Sequence, residues 1–232
     1  MYQLNDVMRS KALSSHGPKQ ALLAELAKLA RALGHPHRLE LLEHLAQRER
    51  GVEALARRVG MSVANASQHL QHLRRANLVV SRRAGKYVLY RPTDDSVLTV
   101  LTALRQVAER NVVAVGQVVR SYFDDRDSLE PVSREELLVR SRDGTVTILD
   151  VRPGDEFDAG HLPGAVNIPI DELEARLGEL DPEHQIVAYC RSAYCIFSFE
   201  AVAALRLRGY TARRLEDGFP EWRAAGLAVS TG

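Results

Sequence analysis

The chain splits near residue 124 into a basic part and an acidic part, and this split constrains its fold more than any other feature. Residues 1–124 hold 19 Lys and Arg against 10 Asp and Glu, a net of +9, whereas residues 125–232 hold 12 against 20, a net of −8. With 232 residues and 45% hydrophobic content, two modest cores are affordable. Two units with different partners follow: the basic one suits a polyanion and the acidic one does not. The junction falls within residues 124–133, and Ser133-Arg134-Glu135-Glu136 has the form of a capping box opening a new helix. No run approaches eighteen apolar residues, and residues 1–20 lack the apolar core of a signal peptide. Two cysteines only five residues apart argue against a secreted disulfide framework. The expectation is a cytoplasmic protein with no membrane partner.

In the basic part, Leu22, Leu23, Leu26, Leu29, Ala30 and Leu33 recur at helical spacing. Pro36 opens a second helix carrying Leu39, Leu41, Leu42 and Leu45, and Val52, Leu55, Ala56 and Val59 mark a third. After Gly60-Met61, Ser62 is a natural N-cap for a fourth helix over residues 63–75. Two short helices around a tight turn, the second rich in polar residues, form the helix-turn-helix pattern. Leu70 and Leu73 face inward, leaving Ser62, Val63, Asn65, Ser67, Gln68, Gln71 and His72 toward a partner. Amide side chains there can read base edges in a major groove, adenine in particular. Residues 78–91 alternate and turn at Ala84-Gly85, a hairpin whose tip offers Arg82, Arg83 and Lys86 to phosphates. A solvated helix and a basic surface hairpin are the plain alternative; their combination and order favour DNA. Residues 96–122 read as one long helix with an apolar seam, from Val97, Leu98 and Leu101 to Val115 and Val119. That seam is too long for one small domain to bury, which implies a homodimer.

These phrases carry a resemblance. Ala32-Leu33-Gly34-His35-Pro36-His37-Arg38-Leu39, Ser67-Gln68-His69-Leu70-Gln71-His72-Leu73 and the wing ending Tyr90-Arg91 make residues 19–122 similar to winged helix-turn-helix repressors of the ArsR family. The resemblance implies a mainly α domain with a β-hairpin wing, dimerised through its first and last helices. It also implies double-stranded DNA with an inverted-repeat operator as partner. Metal-sensing members place cysteines at the start of the helix that here begins near Glu53, where this chain has none, and residues 96–122 contain no His. His69 and His72 read as phosphate or core contacts, so no metal site is expected.

The acidic part alternates strands and helices: a strand over 145–152, a helix over 172–177, a strand over 186–189, a helix over 195–208 and a strand over 210–215. That order predicts a mainly parallel sheet with helices on both faces and function at the C-terminal strand ends. Ile186 to Tyr189 deliver Cys190 into a short loop, and helical spacing resumes at Ile196. Converging backbone N–H groups and a helix dipole there lower a thiol pKa and hold anions. Two buried core cysteines are the alternative.

Over roughly residues 132–229, Leu149-Asp150-Val151-Arg152, Glu156-Phe157 with Gly160-His161-Leu162-Pro163-Gly164-Ala165, Tyr189-Cys190-Arg191-Ser192 and Gly218-Phe219-Pro220-Glu221-Trp222 together resemble the rhodanese family. The resemblance implies an α/β domain in which Cys190 accepts a sulfane sulfur as a persulfide. Backbone N–H groups of Arg191, Ser192, Ala193, Tyr194 and Cys195 would cradle the anion; Asp150 and Arg152 would order the loop, and His161 would shape the pocket rim. Ala193 stands where active loops usually hold Gly. Cys195 stands where they often hold a cation or hydroxyl, which weakens thiosulfate turnover but adds a resolving thiol. Ile196, where phosphatase and arsenate-reductase relatives of this fold place Arg, disfavours their chemistry.

The resulting organisation is an arm at 1–18, a DNA-binding and dimerisation domain at 19–122, a linker at 123–132 and a rhodanese-like domain at 133–232. The leading expectation is a repressor that senses reactive sulfur or oxidants through Cys190 and Cys195, with a small sulfur donor or thiol acceptor as partner and no cofactor. The enzyme alternative is a thiosulfate or polysulfide sulfurtransferase carrying an autoregulatory DNA-binding domain. Arsenite or metal sensing by the two loop thiols ranks behind both, because two thiols are a poor set for a thiophilic site. A degenerate rhodanese kept only for docking stands as the plain reading.

Overall fold

The computed structural model describes residues 17–119 and 131–232. Most of the expected arm and of the expected linker, and the end of the expected long helix beyond residue 119, lie outside the described residues.

Helix α1 (Pro18–Leu33) and helix α2 (Pro36–Gln47) each open on a proline, whose fixed φ suits the first helical position. Arg38 locks the joint by donating to the carbonyls of Arg31 and Ala32. A two-residue strand β1 (Arg50–Gly51) leads into α3 (Val52–Arg58) and then α4 (Val63–Arg75), where Ser62 Oγ accepts from Asn65 N–H at 3.2 Å. The hairpin β2 (Val79–Ala84) and β3 (Tyr87–Pro92) makes the wing, with sheet order β1-β3-β2. Its turn residues are Gly85 and Lys86, one step later than the alternation suggests, because Ala84 still pairs with Tyr87. Gly85 takes φ +61°, a left-handed value that a side chain would oppose. Leu41, Leu42, Leu45, Leu55, Leu70 and Leu73 close one core around which α2, α3 and α4 pack.

The expected single helix over 96–122 is corrected. Helix α5 (Ser96–Asn111) stops at Val112, which has extended geometry (φ −109°, ψ 103°), and α6 (Val113–Val119) restarts after it. The break falls at Val112-Val113, two adjacent β-branched residues of low helix propensity.

Ser133 caps α7 (Arg134–Arg142) through Glu136 N–H. Strand β4 (Val146–Asp150), α8 (Gly154–Ala159), β5 (Val166–Asn167), α9 (Leu173–Arg176), β6 (Gln185–Tyr189), α10 (Ile196–Leu207), β7 (Ala212–Arg214) and α11 (Phe219–Ala224) follow. The sheet order is β5-β4-β6-β7, parallel throughout. Leu173 of α9 with Ala201, Val202 and Leu205 of α10 cover one face; Leu137 of α7 with Phe219 and Trp222 of α11 cover the other. Helix α11 packs on α5 and α2, so the two domains meet directly. No helix among the described residues is long and apolar enough to cross a membrane.

Candidate functional site

Strand β6 ends at Tyr189, and Cys190 begins the loop, 1% exposed within the apolar cluster under α10. Cys195 is the N-cap of α10 and is joined to Cys190 by a disulfide, the two Cα atoms 6.0 Å apart. Cys195 N–H donates to the Ser192 carbonyl at 3.1 Å, so this amide is taken within the loop and leaves the expected cradle to residues 191–194. Gly218 permits the packing beneath: a Cβ there would collide with the Ser192 backbone N. Phe219 N–H donates to the Cys190 carbonyl at 3.0 Å and fixes the start of the loop.

Asp150 and Arg152 are fully buried at the end of β4. Arg152 donates to both Asp150 carboxylate oxygens and to the Gly160 carbonyl. Tyr189 hydroxyl donates to Asp150, and burial, then the Asp150 charge, push its pKa far above the ordinary tyrosine value. Asp150, Arg152 and Tyr189 thus form one buried hydrogen-bonded network at the ends of β4 and β6. His161 stacks on Phe157 at 3.6 Å and its Nδ1 contacts the Phe157 carbonyl. Its ring is held at the end of α8.

The main feature missed by sequence reasoning is how the loop is gripped by the other domain. Glu156 of α8, fully buried, accepts from Arg191 at 2.8 and 3.1 Å and from Arg50 of β1 at 2.8 Å. Asp155 beside it takes Arg50 at 2.8 Å and Arg48 and Arg58 at 3.4 Å. Gln47, the last residue of α2, donates to the Arg191 carbonyl at 3.3 Å and accepts from Arg152 at 3.0 Å. On the opposite side, Tyr194 hydroxyl bonds Glu109 of α5, and burial, then that carboxylate, raise its pKa. Arg105 of α5 bridges Glu221 of α11 and Glu43 of α2. Burial, then the Arg191 guanidinium, hold His44 of α2 down at about 4, so it is neutral near pH 7. The one available signal was the arginine-rich run 48–58, facing an acidic partner domain across a net-charge difference.

The expected DNA-reading residues gather on one exposed face. Ala66, Leu70 and Leu73 of α4 are buried, while Ser62, Val63, Asn65, Gln68, Gln71 and His72 face solvent and Ser67 is half-buried. His69 turns instead to His35 and His37, ring centroids 4.5 and 5.7 Å away. Arg83 and Lys86 are exposed on the wing, but Arg82 is bound by both oxygens of Glu49.

The geometry defines a winged helix-turn-helix domain docked on a rhodanese-like domain. A helix-turn-helix domain model matches residues 33–82 and a rhodanese-like domain model residues 133–225. The HTH-type transcriptional regulator Rv0324 of Mycobacterium tuberculosis is 42% identical over 92% of this chain and 94% of its own. The nodulation protein NolR of Rhizobium meliloti is 38% identical over 43% of this chain and 70% of its own. Among solved structures, the homodimeric winged helix-turn-helix domain of a possible ArsR-family regulator from Mycobacterium bovis is 36% identical over 44% of this chain and 94% of its own, with a TM-score of 0.40. The chain belongs to the HTH-type transcriptional regulators and carries a rhodanese-like domain behind its helix-turn-helix.

Proposed function

We propose that this regulator is a cytoplasmic dimeric repressor whose DNA affinity is set by the state of the Cys190 loop. The observation that carries the reading is the Arg50–Glu156–Arg191 bridge, reinforced by Gln47 on the Arg191 carbonyl. Arg191 follows the reactive cysteine, and α2 and β1 at the other end flank the core on which the recognition helix α4 rests. Tyr194 at the far end of the loop reaches α5. Loop rearrangement therefore presses on both the reading helix and the helix that would pair with a second copy.

The dimer reading rests on exposed apolar side chains: Leu22, Leu23 and Leu26 on α1, and Leu104, Val107 and Val113 on α5 and α6, between 44% and 73% exposed. Such a patch invites a self-complementary partner. In the dimer, Gln68, Gln71 and Asn65 of each α4 would read successive major grooves, with Arg83 and Lys86 on flanking phosphates.

The chemistry follows from two neighbouring thiols. A Cys190 thiolate attacks the outer sulfur of a persulfide, the S–S bond breaks, and the donor leaves as its thiolate. Cys195 thiolate then attacks Cys190 Sγ, and hydrosulfide departs with the bonding electrons to leave the disulfide. With a peroxide, Cys190 takes one oxygen and water leaves; Cys195 then displaces hydroxide from the sulfenic acid. A disulfide in a reducing compartment is normally transient and regulatory, which favours sensing over a static role.

The test is anisotropy on a duplex selected by the reduced full-length protein from a random pool, with intact mass measured in parallel. The disulfide form should bind about 5- to 150-fold more weakly, the span of typical coupling energies, and Cys190→Ser should no longer respond. Sulfur gain with unchanged DNA affinity would instead make the domain a tethered sulfurtransferase. No gain from polysulfide or peroxide would reduce it to a docking module.

A further inference from the structure

A cleft of about 510 Å³ lies where the two domains meet beside the cysteine loop. The DNA-binding domain contributes His44 and Arg58 to its lining; the rhodanese-like domain contributes Arg191 and Phe197. The volume is on the scale of a small organic ligand rather than an inorganic ion.

Its electrostatics favour one negative charge. Arg58 and Arg191 belong to a group of four guanidiniums, with Arg48 and Arg50, that shares two carboxylates, Asp155 and Glu156. Two positive charges remain over, and Asp171, exposed at the cleft, offsets one of them. His44, which lines the cleft, keeps its Nδ1 buried with no hydrogen-bond partner among the described residues, a costly state. The other walls are apolar. Val151, Ile170 and Phe197 line the cleft and also pack in the cluster that holds Cys190 and Cys195, so an occupant would rest on the same apolar cluster as the sulfur pair, which itself lies beneath the lining.

We infer that this cleft binds a small organic monoanion, its acid group between Arg58 and Arg191 beside His44 and its apolar body against Phe197 and Ile170. The DNA-binding domain thus supplies a cation to the site, where position 195 of the loop holds a cysteine in place of one. An occupant touches both domains and favours the docked arrangement. Either a sulfur donor or an unreactive effector has this chemistry, and the two are separable by probe.

Calorimetric titration of the disulfide-form full chain with benzenesulfonate, benzenethiosulfonate and sulfate tests the site without DNA and without sulfur transfer, so failure of the sensor reading leaves it untouched. Both aromatic anions should bind once per chain, at least tenfold tighter than sulfate. Arg58→Gln should weaken them at least tenfold and Arg58→Lys should recover most of the loss. Phe197→Ala, which leaves every ion pair in place, should weaken the aromatic anions alone. Sulfate binding as tightly as benzenesulfonate, indifference to Phe197→Ala, or no binding would overturn the inference. With the site established, reduced protein whose Cys190 thiolate takes the terminal sulfur of benzenethiosulfonate, breaking its S–S bond and releasing benzenesulfinate, more slowly in Arg58→Gln, identifies the occupant as a donor; binding with no gain identifies an effector.

Discussion

The DNA-reading face and the cysteine loop are built on opposite plans. On α4 the polar side chains stand in water, and Gln68, Gln71 and Asn65 are exposed. Around the loop the polar groups are buried and committed: Asp150, Arg152 and Glu156 are all fully buried and paired. On the proposed reading, the first arrangement leaves hydrogen-bonding groups available to a partner, whereas the second fixes them in one geometry. Buried ion pairs suit the second arrangement because removing one member leaves the others uncompensated in a low dielectric. The contrast predicts that substitutions near the loop are felt as stability and those on α4 as DNA affinity.

The largest effect that would break this contrast is at Glu156. Glu156→Ala leaves Arg50, Arg58 and Arg191 facing one another across the interface with only Asp155 among them. Loss of about 3–5 kcal/mol is expected from denaturant unfolding, the cost of stranding a buried charge. A loss below about 1 kcal/mol would mean that water reaches the interface freely and that the bridge is not a rigid link.

Most of the fold was legible because it rests on local signals. Pro36, Ser62 and Ser133 start their helices where the capping chemistry places them, and the alternation over 145–215 yields a parallel sheet. The break at Val112 was missed because an apolar seam reports a face, not the continuity of the backbone under two adjacent β-branched residues. The loop itself was legible from its motif. Its anchors were not: Gln47 and Arg152 are 105 residues apart and Arg50 and Glu156 are 106 apart, and neither pair leaves a periodic or local trace. For His161 the motif gave the position but not the stacking of its ring on Phe157.

A second, smaller effect is proton-linked. His44 titrates at about 4 in the folded chain against an ordinary 6.5, chiefly through burial and secondarily through Arg191. The unfolded chain therefore takes up its proton first as the pH falls. Its contribution is whole above 6.5 and is lost progressively down to about 4. Between pH 7 and 5 this amounts to about 2 kcal/mol of lost stability. His44→Gln should remove that part of the acid loss, read as the difference in unfolding free energy at the two pH values. An unchanged pH slope in the variant would show that the histidine side of the interface opens to water.

The smallest effect lies on the wing, where the two plans meet in adjacent residues. Arg83 is exposed, while Arg82 is clasped by Glu49. A cation already paired with a carboxylate brings no net charge to DNA and releases no extra counterion, so it adds nothing to the salt dependence. Arg83→Ala should therefore lower the slope of log affinity against log salt by about 1 per chain, on selected and random duplexes alike. Arg82→Ala should leave the slope in place, and Glu49→Gln should raise it by about 1 by freeing Arg82 for a phosphate. The exposed pair contributes little to stability, so unfolding midpoints should stay close together in all three variants. Equal slope losses for Arg82→Ala and Arg83→Ala would mean that Glu49 lets go when DNA arrives, and that even a side chain held in an ion pair on this face belongs to the reading surface.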